Sequence, residues 1–440
     1  MVEGPMAVNI VRIAVPLAAI SILQQLFNAA DVAVVGRFAS AEAIAAVGAN
    51  TPIINMFLTL FTGLAGGGNV ILANYIGGGR EKKISGAVHT IAALALICAG
   101  IVIVVGEAAA RPILLLISTP DNIIGQAVLY LRIYFFALAF AVIYNFASAV
   151  LRSKGDTKRP LYCLIISGVV NVVLNLLLVA VFHLDVAGVA IATLISNILC
   201  SMATVVLLVR ETDALRLDVR LLCLRVEPLK GILRIGLPAG IQGMLFSVSN
   251  IIIQAGINGF GADCIAGNTA ALNFEFIAYF VAMAFGQTAM TYTGQNYGAG
   301  KYRRCRQVYL ICLAMGFSFT LLLSLCFYIP KRFWLGFFTT SEAVLAFADV
   351  RMLYVVLLEC LTSFNEMAAG CMRGMGVSIP PTIISICCSC VLRIIWIKTI
   401  FTAVHTIEVL MLVYPVSWVL LMISATTAYL IAARRRLRAE

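Results

Sequence analysis

The sequence has 440 residues, of which 62% are hydrophobic and 12% charged. Soluble domains average about 45–50% apolar and about 25% charged residues, so a soluble globular fold is excluded and a bilayer is the expected solvent. The formal net charge of +11 would suit nucleic acid on a soluble surface, but it is confined between apolar runs, where it is a topology signal instead.

Taken in chain order, twelve apolar runs are predicted as helices, at 9–36, 49–76, 88–108, 126–150, 160–182, 187–209, 231–258, 265–296, 307–329, 347–371, 380–402 and 408–432. Runs of ~20 residues span ~30 Å of hydrocarbon. The opening MVEGPMAVNIVR has no basic segment, and no small-residue cleavage site follows it. The first run is therefore expected to be a retained helix and not a signal peptide.

The even-numbered links are basic. They hold Arg80, Lys82 and Lys83; then Arg152, Lys154, Lys158 and Arg159; then Arg210, Arg216, Arg220, Arg225 and Lys230; then Lys301, Arg303, Arg304 and Arg306. The tail adds Arg434, Arg435, Arg436 and Arg438. The odd links hold only Arg37, Arg111, Lys331, Arg332 and Lys398. Positive-inside topology then places both termini in the cytoplasm, with an even number of spans. The 13 cysteines fall mostly inside apolar runs, Cys387, Cys388 and Cys390 most densely, and no pair of CxxC motifs with metal spacing occurs. They read as polarizable packing residues.

The chain repeats itself. RIAVP at 12–16 returns as RIGLP at 234–238, ANYIGGG at 73–79 as GQNYGAG at 294–300, and LRSKGDTKRP at 151–160 as CMRGMGVSIP at 371–380. The offsets are 222, 221 and 221 residues. Six helices per half is an even number, so both halves enter from one side. The expected fold is an all-α integral membrane protein of twelve transmembrane helices, in two six-helix bundles related by a pseudo-two-fold axis along the membrane normal with a shared cavity. The expected domains are an N-terminal lobe at 1–209, a cytoplasmic linker at 210–230 and a C-terminal lobe at 231–440. Gly77, Gly78 and Gly79, like Gly298 and Gly300, follow an apolar helix and precede a basic loop, where glycine allows positive φ and ends the helix.

Charged side chains at mid-bilayer cost about 2.5–3.5 kcal/mol on insertion scales, so four carboxylates stand out: Asp31, Glu275, Glu359 and Glu366. Gln24, Asn28 and Asp31 are spaced four and three apart and share a helix face, which must look onto protein or water. Asn171 and Asn175 also share a face. Glu359 and Glu366 lie two helical turns apart and are expected to point the same way. Arg393 is expected to pair with Glu275 or Glu366, either as a buried network that fixes packing or beside carboxylates that attract a cationic substrate. Arg132 and Arg351 read as interface snorkellers. Phe27, Tyr144, Phe276, Phe280 and Trp396 either stack on flat cations in a cavity or pack in the bundle. His89, His183 and His405 form no triad, and neither a nucleophile elbow, a metal motif nor a nucleotide loop is present, so an enzyme is not expected.

The ANYIGGG and GQNYGAG turns, LRSKGDTKRP, the NVVLN of the fifth helix and the proline–aspartate spacing of the first (Pro16 to Asp31) together resemble the multidrug and toxic compound extrusion family, over nearly the whole chain. The resemblance implies an antiporter that exports organic, often cationic amphipathic compounds in exchange for H⁺ or Na⁺, and no other cofactor. It also implies a coupling site at Asp31, Gln24, Asn145, Asn171, Asn175 and Thr193, with no metal beyond Na⁺ at Asp31, Asn171, Asn175 and Thr193. Many relatives carry a second carboxylate where this chain has Asn175. A lone acid in a poorly hydrated pocket tilts the expectation toward H⁺.

Pro16 is the expected hinge of the first helix. The repeat position of Asp31 is Ile253, and the glutamate that some relatives place eight residues after the seventh-helix proline is Phe246 here. The substrate cavity is expected at Glu275, Glu359, Glu366, Arg393, Phe27 and Tyr144. The expected partners are small-molecule substrates and lipid, not nucleic acid, with the protein a monomer in a bacterial inner membrane. A lipid or oligosaccharide flippase of the same broad superfamily is the alternative. Flippases usually add helices or a strongly cationic cavity, whereas this chain has twelve helices and four interior acids. A non-transporting sensor or scaffold would lack such polar sites.

Overall fold

A computed structural model of the chain describes residues 1–116 and 119–437; Arg438 of the basic tail lies outside them. Helix is the regular structure throughout the described residues, with no strand. Backbone N–H and C=O groups in hydrocarbon have no water to bond, so an apolar segment satisfies them internally by forming a helix. Eleven helices among the described residues are long and apolar enough to cross a membrane.

The first nine helices are α1 (Met6–Phe38), α2 (Ala41–Gly77), α3 (Glu81–Leu116), α4 (Asp121–Ser153), α5 (Lys158–Asn175), α6 (Asp185–Val209), α7 (Val226–Asn258), α8 (Ala262–Gly298) and α9 (Tyr302–Tyr328). A short α10 (Lys331–Leu335) follows. A π-helical turn, Leu176–Val181, extends α5 directly after Asn175.

The tenth expected span, 347–371, is not one regular helix. It is α11 (Glu342–Arg351), a π turn at Met352–Val356, a 3₁₀ turn at Glu359–Leu361 and α12 (Thr362–Gly374). The eleventh span runs through α13 (Ile379–Ser385) and α14 (Leu392–Trp396), each followed by a π turn, and the twelfth is α15 (Ile407–Arg436).

Glycine closes the same turns in both halves. Gly79 and Gly300 have φ of 63° and 71°, and Gly155 and Gly376 have φ of 96° and 78°. In the first pair, the Arg80 and Lys301 amides reach back to the Tyr75 and Asn296 carbonyls at 3.0 and 2.9 Å. In the second, the Asp156 and Val377 amides reach Leu151 and Met372 at 3.2 and 2.9 Å. A left-handed residue there lets the chain fold back onto its last open carbonyls.

The chain divides into two compact units, Ala19–Gly240 and Met1–Ala18 with Ile241–Glu440. The divisions fall two residues after Pro16 in α1 and two after Pro238 in α7. The first halves of these helices are thus grouped apart from their second halves. A proline lacks the amide that would bond four residues back, which leaves a natural place for a helix to bend.

Ala19–Gly240 has an apolar core that includes Leu72, Ile91, Leu131, Phe135, Leu151 and Ile232. Within it, α2 meets the first half of α7 glycine to glycine. A Cβ on Gly63 would lie 2.3 Å from the Gly240 amide nitrogen, and one on Gly67 would lie 2.5 Å from the Ile232 carbonyl oxygen. Small residues four apart let two helix backbones touch.

The 210–230 segment is docked on α3. The Asp218 amide donates to His89 Nε2 at 3.1 Å and the Arg225 amide to Thr90 Oγ1 at 3.1 Å, while Leu215 and Leu217 are buried. The other unit has its own cores, one around Ile253, Leu410, Met411 and Val413 and one around Ala271, Leu335, Met352 and Val356.

Candidate cation and proton site

Asp31 sits seven residues before the end of α1. Its Oδ1 accepts a hydrogen bond from Asn175 Nδ2, and its Oδ2 accepts one from Thr193 Oγ1 at 3.4 Å. These are its hydrogen-bond partners among the described residues, and no base pairs with it there.

The network continues inward. Asn175 Nδ2 also lies 3.3 Å from Asn171 Oδ1, and Asn171 Nδ2 donates to Ser196 Oγ at 3.4 Å. Helical spacing sets this up: Asn171 and Asn175 share a face of α5, and Thr193 and Ser196 share a face of α6. All four are buried, Asn175 completely. Asn175 Oδ1 is buried with no hydrogen-bond partner among the described residues.

Tyr130 and Tyr134 of α4, with ring centroids 5.5 Å apart, lie within electrostatic reach of the Asp31 carboxylate. Phe27 packs α1 on α5, because a Cβ at Gly168 would lie 1.9 Å from its ring.

Other predicted residues lie outside this network. Gln24 and Asn28 are exposed. Asn145 bonds the Ala141 carbonyl of its own helix at 2.9 Å. Tyr144 is buried with its hydroxyl toward the Pro160 carbonyl at 3.5 Å; packed there, its ring presents no open face to a substrate. Pro16 is buried inside α1.

The acids of the other unit are differently placed from the expectation. Arg351 is not an interface snorkeller. It is 3% exposed and donates both Nε and Nη2 to Glu275 Oε2 at 2.7 Å, with a further bond to Asn268. Glu275 and Asn268, seven residues apart on α8, present one face to it. Arg393 pairs with neither Glu275 nor Glu366. It donates to Asn250 Oδ1 at 3.0 Å and lies 4.6 and 5.1 Å from the ring centres of Tyr414 and Phe246.

Glu359 and Glu366 do not extend from one regular helix, because the 3₁₀ turn at Glu359–Leu361 breaks the register. Glu359 is buried beside Glu275, Arg351 and Arg393. Glu366 instead accepts from Asn365 at 3.4 Å and feels Arg373, which is held by Gln242 at 2.7 Å. Ser196, Tyr130, Tyr134 and the Arg351–Glu275 pair are absent from the sequence reading. Ser196 has a usable signal, three residues after Thr193; the tyrosines flank Arg132, which reads as an interface snorkeller.

The oxygen set of Asp31, Asn171, Asn175 and Thr193 suits a hard cation, and the partnerless Asn175 oxygen is an acceptor with nothing yet to accept. Among the described residues no three His, Cys, Asp or Glu side chains gather into a metal site. A helical bundle of this apolar length, holding an acid among neutral oxygens and away from any base, defines a polytopic membrane protein with a candidate ion site.

The MatE family model matches residues 16–177 and again 238–397. The chain belongs to the MatE family, the multidrug and toxic compound extrusion transporters, and is an integral membrane protein. The two matches open on Pro16 and Pro238, in register with RIAVP and RIGLP. The chain is 28% identical to the probable multidrug resistance protein YoeA of Bacillus subtilis (strain 168), over 84% of this chain and 82% of that one. It is 25% identical to the probable multidrug resistance protein YpnP of the same organism, over 89% and 87%. A solved multidrug resistance MATE family transporter of the MOP superfamily, in an outward-facing conformation, shares the fold with a TM-score of 0.88 at 22% identity, over 100% of this chain and 97% of the other.

Proposed function

We propose that the protein exports organic, often cationic amphipathic compounds in exchange for H⁺ or Na⁺ by alternating access, as a monomer in a bacterial inner membrane with both termini cytoplasmic. The relatives' names support the efflux reading. The alternation of basic and neutral links supports the orientation.

One observation carries the coupling step. Asn175 gives its N–H to Asp31 and keeps a buried oxygen that accepts from none of the described residues. A proton on Asp31 needs an acceptor, and a cation beside Asp31 needs an oxygen; turning the Asn175 amide about its last torsion supplies either. Amide donor and acceptor are nearly isosteric, so the exchange moves few atoms. It occurs where α5 passes into its π turn, a helical irregularity frequent at functional sites. Loss of the Asp31 charge then removes a reason for α1 to keep its polar face toward α5 and α6. Pro16 is the point at which α1 repacks, and the lobe releases its substrate. With one carboxylate in the site, the proton is the favoured coupling ion.

The test is dye flux in vesicles holding the purified protein, with an ethidium-like cation and separately imposed proton and Na⁺ gradients. Uptake driven by the proton gradient and abolished by Asp31→Asn is expected. Export by Asp31→Asn at the wild-type rate would overturn the scheme.

A further inference from the structure

The α8–α9 turn and the end of α15 come together at one end of the unit that contains Ile241–Glu440. Tyr309 stacks on Tyr429 with 3.9 Å between ring centroids, and Arg306 Nη2 donates to the Leu437 carbonyl at 3.1 Å. Beside them opens a cavity of about 470 Å³ lined by Tyr302, Arg303, Arg306 and Leu437.

The basic residues here differ in how they are used. Lys301 is committed to the N-terminal segment, bonding the Val2 carbonyl at 3.3 Å and Glu3 at 3.5 Å. Arg304 is likewise committed, to the Met1 and Gly4 carbonyls at 3.4 Å and to Asn296 at 3.2 Å. Arg303 and Arg306 are exposed and form no ion pair among the described residues. Arg434, Arg435 and Arg436 are exposed close by in the chain at the end of α15, and they too have no acidic partner there.

Positive-inside topology accounts for basic residues in this turn. It does not account for two guanidiniums lining a cavity with most of their donors unused by the described residues. About one helical turn further along, the surface becomes apolar: Leu310 follows Arg306 by four residues on α9 and is 62% exposed, and Ile431 precedes Arg435 by four on α15 and is 49% exposed.

We propose that this cavity binds the phosphodiester headgroup of an anionic glycerophospholipid. Arg303 and Arg306 hold the phosphate, Tyr302 borders the headgroup, and the acyl chains run over Leu310 and Ile431. Guanidinium forks match phosphate oxygens two at a time, and basic pockets at the cytoplasmic membrane surface recognise anionic headgroups. The adjoining apolar surface selects a lipid over a free phosphate, because a soluble anion would leave it unused.

The test uses the full-length protein in mild detergent, with retained phosphatidylglycerol and phosphatidylcholine of matched acyl chains counted by native mass spectrometry. The wild type is expected to retain phosphatidylglycerol about tenfold over phosphatidylcholine, and Arg303→Gln with Arg306→Gln to bring that ratio near unity. Arg220→Gln, an exposed arginine of the 210–230 segment, leaves the ratio unchanged. Arg303→Lys with Arg306→Lys, which keeps the charge and loses the fork, gives an intermediate ratio and carries the test if the glutamine variant fails to fold. Glycerophosphate at millimolar concentration leaves the lipid bound. Equal retention of the two lipids by the wild type, an undiminished ratio in the glutamine variant, or complete displacement by glycerophosphate would each overturn the proposal.

Discussion

Asn175 donates to the Asp31 carboxylate while its own Oδ1 is buried without a partner among the described residues. The pair is therefore poised by one amide torsion. Asn175→Asp places a second carboxylate against the first, and two acids hold a bare cation between them more firmly than one acid and an amide. Dye efflux by this variant is expected to gain a dependence on Na⁺ of about threefold or more. Flux measured with and without a Na⁺ gradient checks it; an unchanged ion preference would mean that Asn175 does not set the coupling ion.

Ser196 closes the chain behind Asn171. Ser196→Ala leaves the Asn171 amide short of an acceptor, at a cost of about 1–3 kcal/mol for a buried polar group. The expected result is slower efflux at unchanged protein level, read from flux normalised to folded transporter.

The Glu275–Arg351 pair predicts a non-additive series. Removing one partner of a buried ion pair costs about 3–5 kcal/mol, whereas replacing both with apolar side chains is often neutral. Arg351→Met alone and Glu275→Leu alone should each lower the thermal midpoint in detergent, and the double variant should recover most of the loss. Additive losses would show that the two side chains do not act as a pair.

Gly63 and Gly48 separate packing from helix propensity. A Cβ on Gly63 meets backbone atoms of Ala239 and Gly240 at 2.3–2.8 Å, and one on Gly48 meets nothing within 4 Å. Gly63→Ala should destabilise by about 1–3 kcal/mol through overpacking. Gly48→Ala should be neutral or stabilising by up to about 1 kcal/mol, because alanine is the better helix former. Thermal unfolding of the two variants side by side is the check.

The hold of α3 on the 210–230 segment is also testable. His89→Phe removes the acceptor for the Asp218 amide. Trypsin should then cut at Arg216 or Arg220 faster than in the wild type, since proteolysis follows local opening.

The spans, the repeat and the helix-ending glycines were legible in the sequence because each depends on local composition or chain geometry. Apolar length needs no partner to be read, and neither does the positive φ of Gly79 or Gly300. The face shared by Asn171 and Asn175 followed from spacing, while their link to Asp31 came through family resemblance, because spacing does not say which helices meet. The charges of the other unit were harder. Arg351 lies near an aromatic stretch, and only the packing of α11 against α8 turns it inward. The 3₁₀ turn that separates Glu359 from the helix of Glu366 leaves no hydropathy signature, so spacing alone puts the two acids on one face.

The matched glycine turns bear on how such a duplicated chain can diverge. Gly79 with Gly300 and Gly155 with Gly376 fix where helices stop through backbone geometry alone, independent of what the helices carry between them. Polar cargo in one half can consequently be rewritten without disturbing the frame. One half sets Asp31 among neutral side chains, while the other sets Glu275 against the Arg351 guanidinium, and the same scaffold carries both arrangements.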